Sequence, residues 1–143
     1  MIVFMDTLLS ILGILGIGSV IAAFFTYFWQ TKKEVQLKEN ELKEKRYRCT
    51  LLLMYALINP KELKALREIR PDIRDLPTLK RELQVEWVSS WIFANDETIK
   101  AFKGFLSNPS EETFAKTAIA MKKELWGKSS KLPISIFSID PTK

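Results

Sequence analysis

The chain has 143 residues, of which 47% are hydrophobic and 27% charged, and its formal net charge is +5. It contains no histidine, so catalysis that uses histidine as the general base and metal sites that use it as a ligand are excluded. The single cysteine, Cys49, cannot form an internal disulfide, which fits a reducing compartment. A bridge between two copies at Cys49 is the alternative.

The first predicted element is a transmembrane helix over residues 7–29, a run of 23 residues without a charge. As a helix this run is roughly 34 Å long, enough to cross a hydrocarbon core of about 30 Å. A cleaved signal peptide would have a basic start and a shorter apolar run, whereas only Asp6 is charged before this one. A buried core helix of such length and uniformity would be unusual.

The flanks of this run predict its orientation. The part that follows Trp29 holds all 22 basic residues and 16 of the 17 acidic ones, a net charge of +6. Because lysine and arginine are enriched on the cytoplasmic side of membrane helices, we expect a bacterial inner-membrane protein with its N-terminus outside and its C-terminal domain in the cytoplasm. An aromatic belt would anchor the helix at the cytoplasmic interface through Phe24, Phe25, Tyr27, Phe28 and Trp29.

Small residues recur at helical spacing within the run. Gly13, Gly16, Ser19 and Ala23 fall on one face, where close backbone approach favours helix association in lipid. We therefore predict a homo-oligomer formed through the membrane, although glycine is also simply common in membrane helices. The run holds no charge, so it offers no ion pathway by itself.

Residues 30–49 predict a charged helical stalk that continues the span. They contain no proline or glycine, and Glu34 with Lys38 and Glu41 with Lys45 are favourable pairs four residues apart. The segment is a poor coiled coil because the second apolar position of each heptad is polar. It is either a plain solvated helix or a stalk that transmits motion.

Residues 50–127 predict a small cytoplasmic helical bundle, so the expected fold is all-α. The first helix ends before Asn59, which with Glu62 predicts a capping box for the second. A third helix is expected over residues 78–94 and, being apolar on two faces, at the buried centre. A fourth starts at Asn95 or Asp96 and ends near Ser107, and a fifth follows the cap of residues 108–111 and stops at Gly127.

Residues 128–143 form a tail in which apolar and polar residues alternate between Pro133 and Pro141. The pattern fits loose packing or disorder, docking onto a partner by strand addition, or a short edge strand.

The search for chemistry returns no catalytic site, and no cofactor or metal is expected. Glu82 and Glu86 share a helix face, as paired acids for acid–base work or Mg²⁺ could, but Lys80 and Arg81 lie beside them and favour surface ion pairs. Ser89 and Ser90 have no base near them. We therefore expect a protein that is not an enzyme.

Two basic groups predict an anion-binding site. The first holds Arg67, Arg70 and Arg74, and the second holds Lys122 and Lys123 beside Trp126. Lysine can meet phosphate while aromatic and arginine side chains stack on bases. The alternative is a solvated surface, because acidic residues interrupt the first group.

The stretches FANDETIKAFKGFL, NPSEETFAKTA and TAIAMKKELWGKSSKL, within residues 86–132, resemble the C-terminal part of small, uncharacterised bacterial proteins with one N-terminal span. The layout of one span and a basic cytoplasmic domain also resembles the membrane effectors of type III CRISPR defence. That second resemblance implies a cytoplasmic domain that binds a cyclic oligoadenylate, and spans that disturb the membrane when they oligomerise. It matches no motif and assigns no residue.

The sequence thus predicts a non-enzymatic, oligomeric inner-membrane protein that acts through the membrane, as in antiphage defence. Its partners would be membrane lipid, further copies of itself, and a cyclic oligonucleotide or a protein; duplex nucleic acid is not expected. A constitutive membrane-anchored scaffold or adaptor is the alternative.

Overall fold

The computed structural model describes residues 2–128 and Lys131, with side chains described from Ser19 onward. The secondary-structure elements of this part of the chain are all helices, joined by turns and loops, which confirms the all-α prediction. The helices are α1 (Ile2–Ile58), α2 (Leu63–Ile69), α3 (Leu76–Ser90), α4 (Asp96–Ser107) and α5 (Glu111–Trp126), and a 3-10 turn (Pro60–Glu62) precedes α2.

The chain forms two compact units, a first unit of Met1–Asn40 and a second unit of Glu41–Lys143. The charged segment predicted over residues 30–49 is therefore divided between them. Ion pairs four residues apart, Lys45 with Glu41 at 3.3 Å and Arg48 with Glu44 at 2.5 Å, support α1 where the second unit begins. The helix ends at Ile58 as expected, because Pro60 disfavours helical backbone at Asn59.

In the first unit, large apolar side chains of α1 are exposed from Val20 to Trp29. Among the described residues, no helix is both long enough and apolar enough to cross a membrane.

The core of the second unit lies where α1 residues after Arg48 meet the four shorter helices. Aromatic rings from α4 fill its centre, since Phe102 and Phe105 are almost completely buried. The buried apolar side chains packed with them include Leu53, Met54, Leu66, Ile73, Leu79 and Leu83. Each such side chain contributes about 1.5–3 kcal/mol through its removal from water.

The predicted capping box before α2 is wrong. The Asn59 side chain accepts no capping hydrogen bond from the following turn; its nitrogen instead donates to the Tyr55 carbonyl at 3.4 Å. The physical reason is that Pro60–Glu62 form a 3-10 turn, so that α2 begins only at Leu63. Of the apolar side chains of α2, Leu63 and Leu66 are buried, while Ile69 is 67% exposed.

The predicted third helix differs from α3 at both ends. The observed α3 begins at Leu76, because the Asp75 carboxylate accepts a hydrogen bond from the Thr78 amide at 2.8 Å and so caps the helix. Pro77 lies in its first turn. The helix ends at Ser90, and residues 91–94 form a turn instead of the predicted last turn of helix.

The prediction that this helix is the buried centre is also wrong, because only one of its faces is covered. Leu79 and Leu83 are fully buried, whereas Val85, Val88 and Ile92 are 53%, 61% and 87% exposed. Helical periodicity shows that a face is apolar, but not that another element lies over it.

The predicted ends of α4 and α5 are confirmed. The Asn95 side chain accepts from the Thr98 amide at 2.8 Å and begins α4. Ser110 begins α5 through a reciprocal pair of bonds with Thr113. Gly127 ends α5 in the left-handed conformation, with φ of 64°, which glycine adopts without strain.

Candidate binding surfaces

The first predicted basic group lies on α2 and the loop that follows it. Arg70 is the C-cap residue of α2. The fully buried Ile73 packs the following loop against the core. The Arg67 guanidinium donates to the Arg74 carbonyl oxygen, which brings these two arginines together. The structure therefore does assemble Arg67, Arg70 and Arg74 in one place.

Arg70, however, is occupied by two carboxylates. Its guanidinium donates to both oxygens of Asp72, at 3.0 and 2.8 Å, and to Glu82 Oε1 at 2.9 Å. The hydrogen bond with Asp72 and then that with Glu82 raise the pKa of Arg70, and the Arg70 bond lowers the pKa of Asp72. These bonds fasten the loop to α3, and they neutralise the central charge that an anionic ligand would need.

The second predicted basic group lies on α5. Lys123 Nζ donates to Glu97 Oε2 on α4 at 2.8 Å, in a pair of which both side chains are about half exposed. Such a pair contributes little stability, because solvent screens it. The first group is thus tied to α3 and the second to α4, and no hydrogen bond or ion pair among the described residues joins the two groups.

Lys122 faces a shallow groove between α1 and α5, which we call the Lys122 groove. It has a volume of about 210 Å³. Its charged members are Lys122, Arg48 and Glu44, and Trp126, at 59% exposure, stands at its end. The other lining residues are Tyr47, Leu51, Ala118, Met121 and Leu125. The groove is smaller than the ~300–1,000 Å³ of typical ligand pockets, so it would hold one ring or one side chain.

A polar cluster that the sequence analysis missed centres on Glu124 of α5. Its carboxylate accepts from Tyr47 Oη at 2.7 Å, from Thr98 Oγ1 at 2.9 Å, from the Asn95 amide at 3.2 Å and from Lys43 Nζ at 3.1 Å. These donors come from α1, from the cap of α4 and from α4 itself. One carboxylate therefore ties three helices together.

The Glu124 cluster is well shielded from water, since Tyr47 is 2% exposed and the Glu124 side chain 8%. Burial alone would raise the pKa of Glu124, but the bonds from Tyr47, Asn95, Thr98 and Lys43 outweigh burial and hold it below its ordinary value. Burial, and then the bond to Glu124, raise the pKa of the Tyr47 hydroxyl. Among the described residues every buried side-chain nitrogen and oxygen has a hydrogen-bond partner, so the Glu124 cluster fits a structural role.

One signal in the sequence could have pointed to this cluster. Glu124 stands in the last turn of α5, where a negative charge is unfavourable to the helix dipole. An acid at such a position, after Lys122 and Lys123, needs partners from elsewhere in the fold. The identity of those partners depends on long-range packing, which local pattern does not reveal.

The outer face of α3 and the turn after it expose several large apolar side chains of the second unit. We call this surface the Val88 patch, defined by Val85, Val88, Trp91 and Ile92, which are 53–87% exposed. Trp91 makes an edge-to-face contact with Trp87 at 5.8 Å, and Trp87 Nε1 donates to the Ile99 carbonyl at 3.2 Å. Trp87 thus links the patch to α4 through this hydrogen bond.

The residues predicted to bring spans together lie only partly within the described side chains. Ser19 and Ala23 are exposed on α1, whereas the exposure of Gly13 and Gly16 is not among the described features of the chain. The predictions for the tail after Lys131 also lie outside them.

Metal and thiol chemistry have no assembled site in the described part of the chain. No group of three or more cysteine and acidic side chains that could hold a metal ion occurs there, and Cys49 is an exposed free thiol. Glu82, one of the two acids considered for catalysis, accepts a hydrogen bond from Arg70.

Compared with known proteins, the chain matches no family model, and no curated protein or solved structure is significantly similar to it.

Proposed function

We propose that the chain is a non-enzymatic membrane protein, anchored in the bacterial inner membrane by residues 7–29, whose cytoplasmic second unit binds a protein partner. The observation that carries the proposal is the exposed apolar surface of α1 in the first unit. Between Val20 and Trp29 its exposed large side chains are Val20, Ile21, Phe24, Phe25, Tyr27, Phe28 and Trp29.

These side chains cover more than half of the helix circumference, and Ala22, Ala23 and Thr26 occupy the rest. A helix of a soluble protein that is apolar all round is buried, but this one is exposed within the chain. Lipid is the surrounding that satisfies such a surface, and the apolar sequence before Ser19 extends it to a length that crosses a bilayer.

The polar groups of this segment fit the same environment. The Thr26 hydroxyl donates to the Ala22 carbonyl at 2.8 Å and the Thr31 hydroxyl to the Tyr27 carbonyl at 2.9 Å, so neither depends on water. Lys32 Nζ lies 5.0 Å from the Phe28 ring centre, as a cation at the interface would lie beside an aromatic belt.

Within this proposal, protein binding is favoured over anion binding for the second unit. Of the five residues predicted to hold an anion, Arg70 and Lys123 are paired with carboxylates and Arg67 binds a backbone carbonyl. The Val88 patch, by contrast, exposes an indole and three β-branched side chains together. Exposed apolar patches of this kind mark interaction sites in soluble domains.

Carbonate extraction of bacterial membranes tests the anchor. The full chain with a C-terminal tag should stay in the membrane pellet, with the tag protected from protease in spheroplasts. Val20→Arg should move the protein to the soluble fraction or to degradation, because arginine near the centre of a span costs about 3 kcal/mol. Leu37→Arg is the matched control, since Leu37 is exposed on α1 beyond the proposed span and should behave as wild type. Release of the unmodified chain by carbonate would overturn the proposal.

The second candidate function is a ligand-responsive effector, and the Lys122 groove is the observation that favours it. An exposed indole beside Lys122 and Arg48 could stack on a base while the cations meet phosphate. Thermal unfolding of the full chain in nanodiscs with cyclic tetra-adenylate tests this candidate. A stabilisation that Lys122→Ala removes and Lys64→Ala retains would support it, and no change with the nucleotide would exclude this ligand.

A further inference from the structure

The Lys122 groove lies where the chain leaves the last helix of the second unit. Trp126, 59% exposed, stands at the end of the groove and is also the last residue of α5. Gly127 then ends the helix in the left-handed conformation, so the tail starts beside the groove. We propose that the tail occupies the Lys122 groove of its own chain, with the Phe137 ring inside it and the Asp140 carboxylate beside Lys122.

The lining of the groove suits an aromatic ring. Its apolar side chains are half-buried or buried, and they are Leu51, Ala118, Met121 and Leu125. The thioether of Met121 and the indole of Trp126 both make favourable contacts with aromatic rings. A volume of about 210 Å³ suits one large side chain. Phe137 is the only aromatic residue that follows Trp126, so it is the side chain of the tail that fits best.

The chain between α5 and Phe137 is long enough for this return. Phe137 lies ten residues after Gly127, and ten residues span up to about 33 Å when extended. The groove follows α5 from Trp126 back to Ala118, a distance of about 12 Å along the helix. Because the tail is tethered at one end of the groove, its effective concentration there is roughly millimolar, and even the contact of one ring can form.

The charges of the groove also match the tail. Arg48 is paired with Glu44 at 2.5 Å, whereas Lys122 is exposed and forms no ion pair among the described residues. The groove therefore presents one positive charge that is not compensated. Asp140 is the only acid of the tail, and it follows Phe137 by three residues, about 10 Å of extended chain. With Phe137 in the groove, the Asp140 carboxylate is within reach of Lys122.

The inference goes beyond the proposed function and does not depend on the membrane anchor, since groove and tail both belong to the second unit. A tail in the groove covers Trp126 and Lys122, which the candidate nucleotide site would use. The tail is then a built-in competitor that any ligand or partner of the groove must displace. Such competition lowers the apparent affinity of the groove by the fraction of molecules in which it is open.

Disulfide formation within the full chain in detergent tests the docking. In a Cys49→Ser background, Ala118→Cys with Ser138→Cys puts one thiol in the groove and one beside the intact Phe137 ring. On mild oxidation this pair should give about tenfold more intrachain disulfide than Lys100→Cys with Ser138→Cys. Lys100 is the matched control because it is exposed on α4 and outside the groove. Mass spectrometry of the alkylated monomer measures the yield.

Two substitutions in the tail test the two contacts. Phe137→Ala should lower the yield of the Ala118–Ser138 pair to the control level, because the ring that fills the groove is gone. Asp140→Lys should lower it about threefold, and Lys122→Asp in the same chain should restore it, because the charge pair is then reversed. A helical spectrum equal to that of wild type controls for folding.

Three outcomes would overturn the inference. A groove pair that links no better than the control pair has no tail in the groove. A yield that Phe137→Ala leaves unchanged assigns the contact to another part of the tail. Disulfide-linked dimer in place of intrachain disulfide would show that the tail occupies the groove of another copy.

Discussion

The two units of the chain use apolar side chains in opposite ways. In the second unit Phe102 and Phe105 are 1% and 0% exposed, whereas in the first unit Phe24 and Phe28 are 67% and 51% exposed. Both pairs lie on helices of good helix-forming sequence. Aromatic content and helical propensity are therefore poor guides to burial, and the polar residues around each pair are more informative.

Those polar residues differ in how they find their partners. In the second unit some polar side chains bond to their own helix, as Thr50 does, but others cap helices or join different helices, as Asp75 and Glu124 do. In the first unit Thr26 and Thr31 bond to their own helix. Cross-helix bonds stabilise a fold around a core, whereas a helix that satisfies its own polar groups needs no such fold.

The largest expected effect that separates the two units comes from removing one aromatic ring. Phe102→Ala should lower the free energy of unfolding of the second unit by about 3–5 kcal/mol, because it leaves a cavity in the core. Phe28→Ala should change it by less than about 0.5 kcal/mol, since Phe28 is exposed and belongs to the other unit. Urea unfolding of the full chain in detergent, followed by circular dichroism, measures both. Equal losses would contradict the division into two units.

A smaller loss is expected from Glu124→Ala. This substitution leaves the buried Tyr47 hydroxyl and the Thr98 hydroxyl without their acceptor, and such groups cost about 1–3 kcal/mol each when unsatisfied. We expect a total loss of about 2–4 kcal/mol in the same urea experiment. Glu124→Gln keeps one acceptor oxygen and should lose less, and a loss below 0.5 kcal/mol for Glu124→Ala would show that the cluster is not structural.

The same cluster predicts a stability that falls at both ends of the pH range. The pKa of Glu124 is lower in the folded state, so its contribution is present above its ordinary pKa of about 4.3 and is lost as the pH falls through the folded value. The pKa of Tyr47 is higher in the folded state, so its contribution is present below about pH 10 and is lost as the pH rises further.

Urea midpoints measured from pH 3 to pH 11 check this expectation. Glu124→Gln should flatten the acid side of the profile and Tyr47→Phe the alkaline side. An acid side unchanged in Glu124→Gln would assign the acid sensitivity to other carboxylates, of which Asp72, Asp75 and Glu112 also have lowered pKa values.

The smallest expected effect concerns the cap of α3. Asp75→Ala removes the acceptor of the Thr78 amide and should cost about 1 kcal/mol in the urea experiment. Glu112→Gln, which breaks an exposed pair with Lys116, should cost less than about 0.5 kcal/mol. If the two variants lose equal amounts, the Asp75 bond acts as a surface contact and not as a cap.

Local chemistry explains why some of the fold could be predicted from the sequence. Asn95, Ser110 and Gly127 mark helix ends because a cap depends on residues two or three positions away, which the sequence shows directly. Asp75 was missed as a cap because the third helix was predicted to begin only at residue 78, after Pro77. The capping box predicted at Asn59 was wrong because the same sequence pattern precedes an α-helix or a 3-10 turn.

Long-range packing explains why the binding surfaces could not be predicted. The basic pattern at Arg67, Arg70 and Arg74 indicated an anion site, but only the fold places Glu82 against Arg70. The second apolar face of α3 was visible in the sequence, yet whether another helix covers Val88 depends on the whole bundle. Charge and apolarity are properties of the sequence, whereas neutralisation and exposure are properties of the fold.

The Asn95 amide makes the attachment of α1 to the rest of the second unit observable at a single proton. That N–H points at both oxygens of Glu124, the carboxylate that also receives Tyr47 and Lys43 of α1. When α1 separates from α5, the carboxylate loses these α1 donors and becomes open to water. Deuterium exchange at the Asn95 amide would then become faster. The exchange rate of this one backbone position therefore reports how often α1 separates from α5.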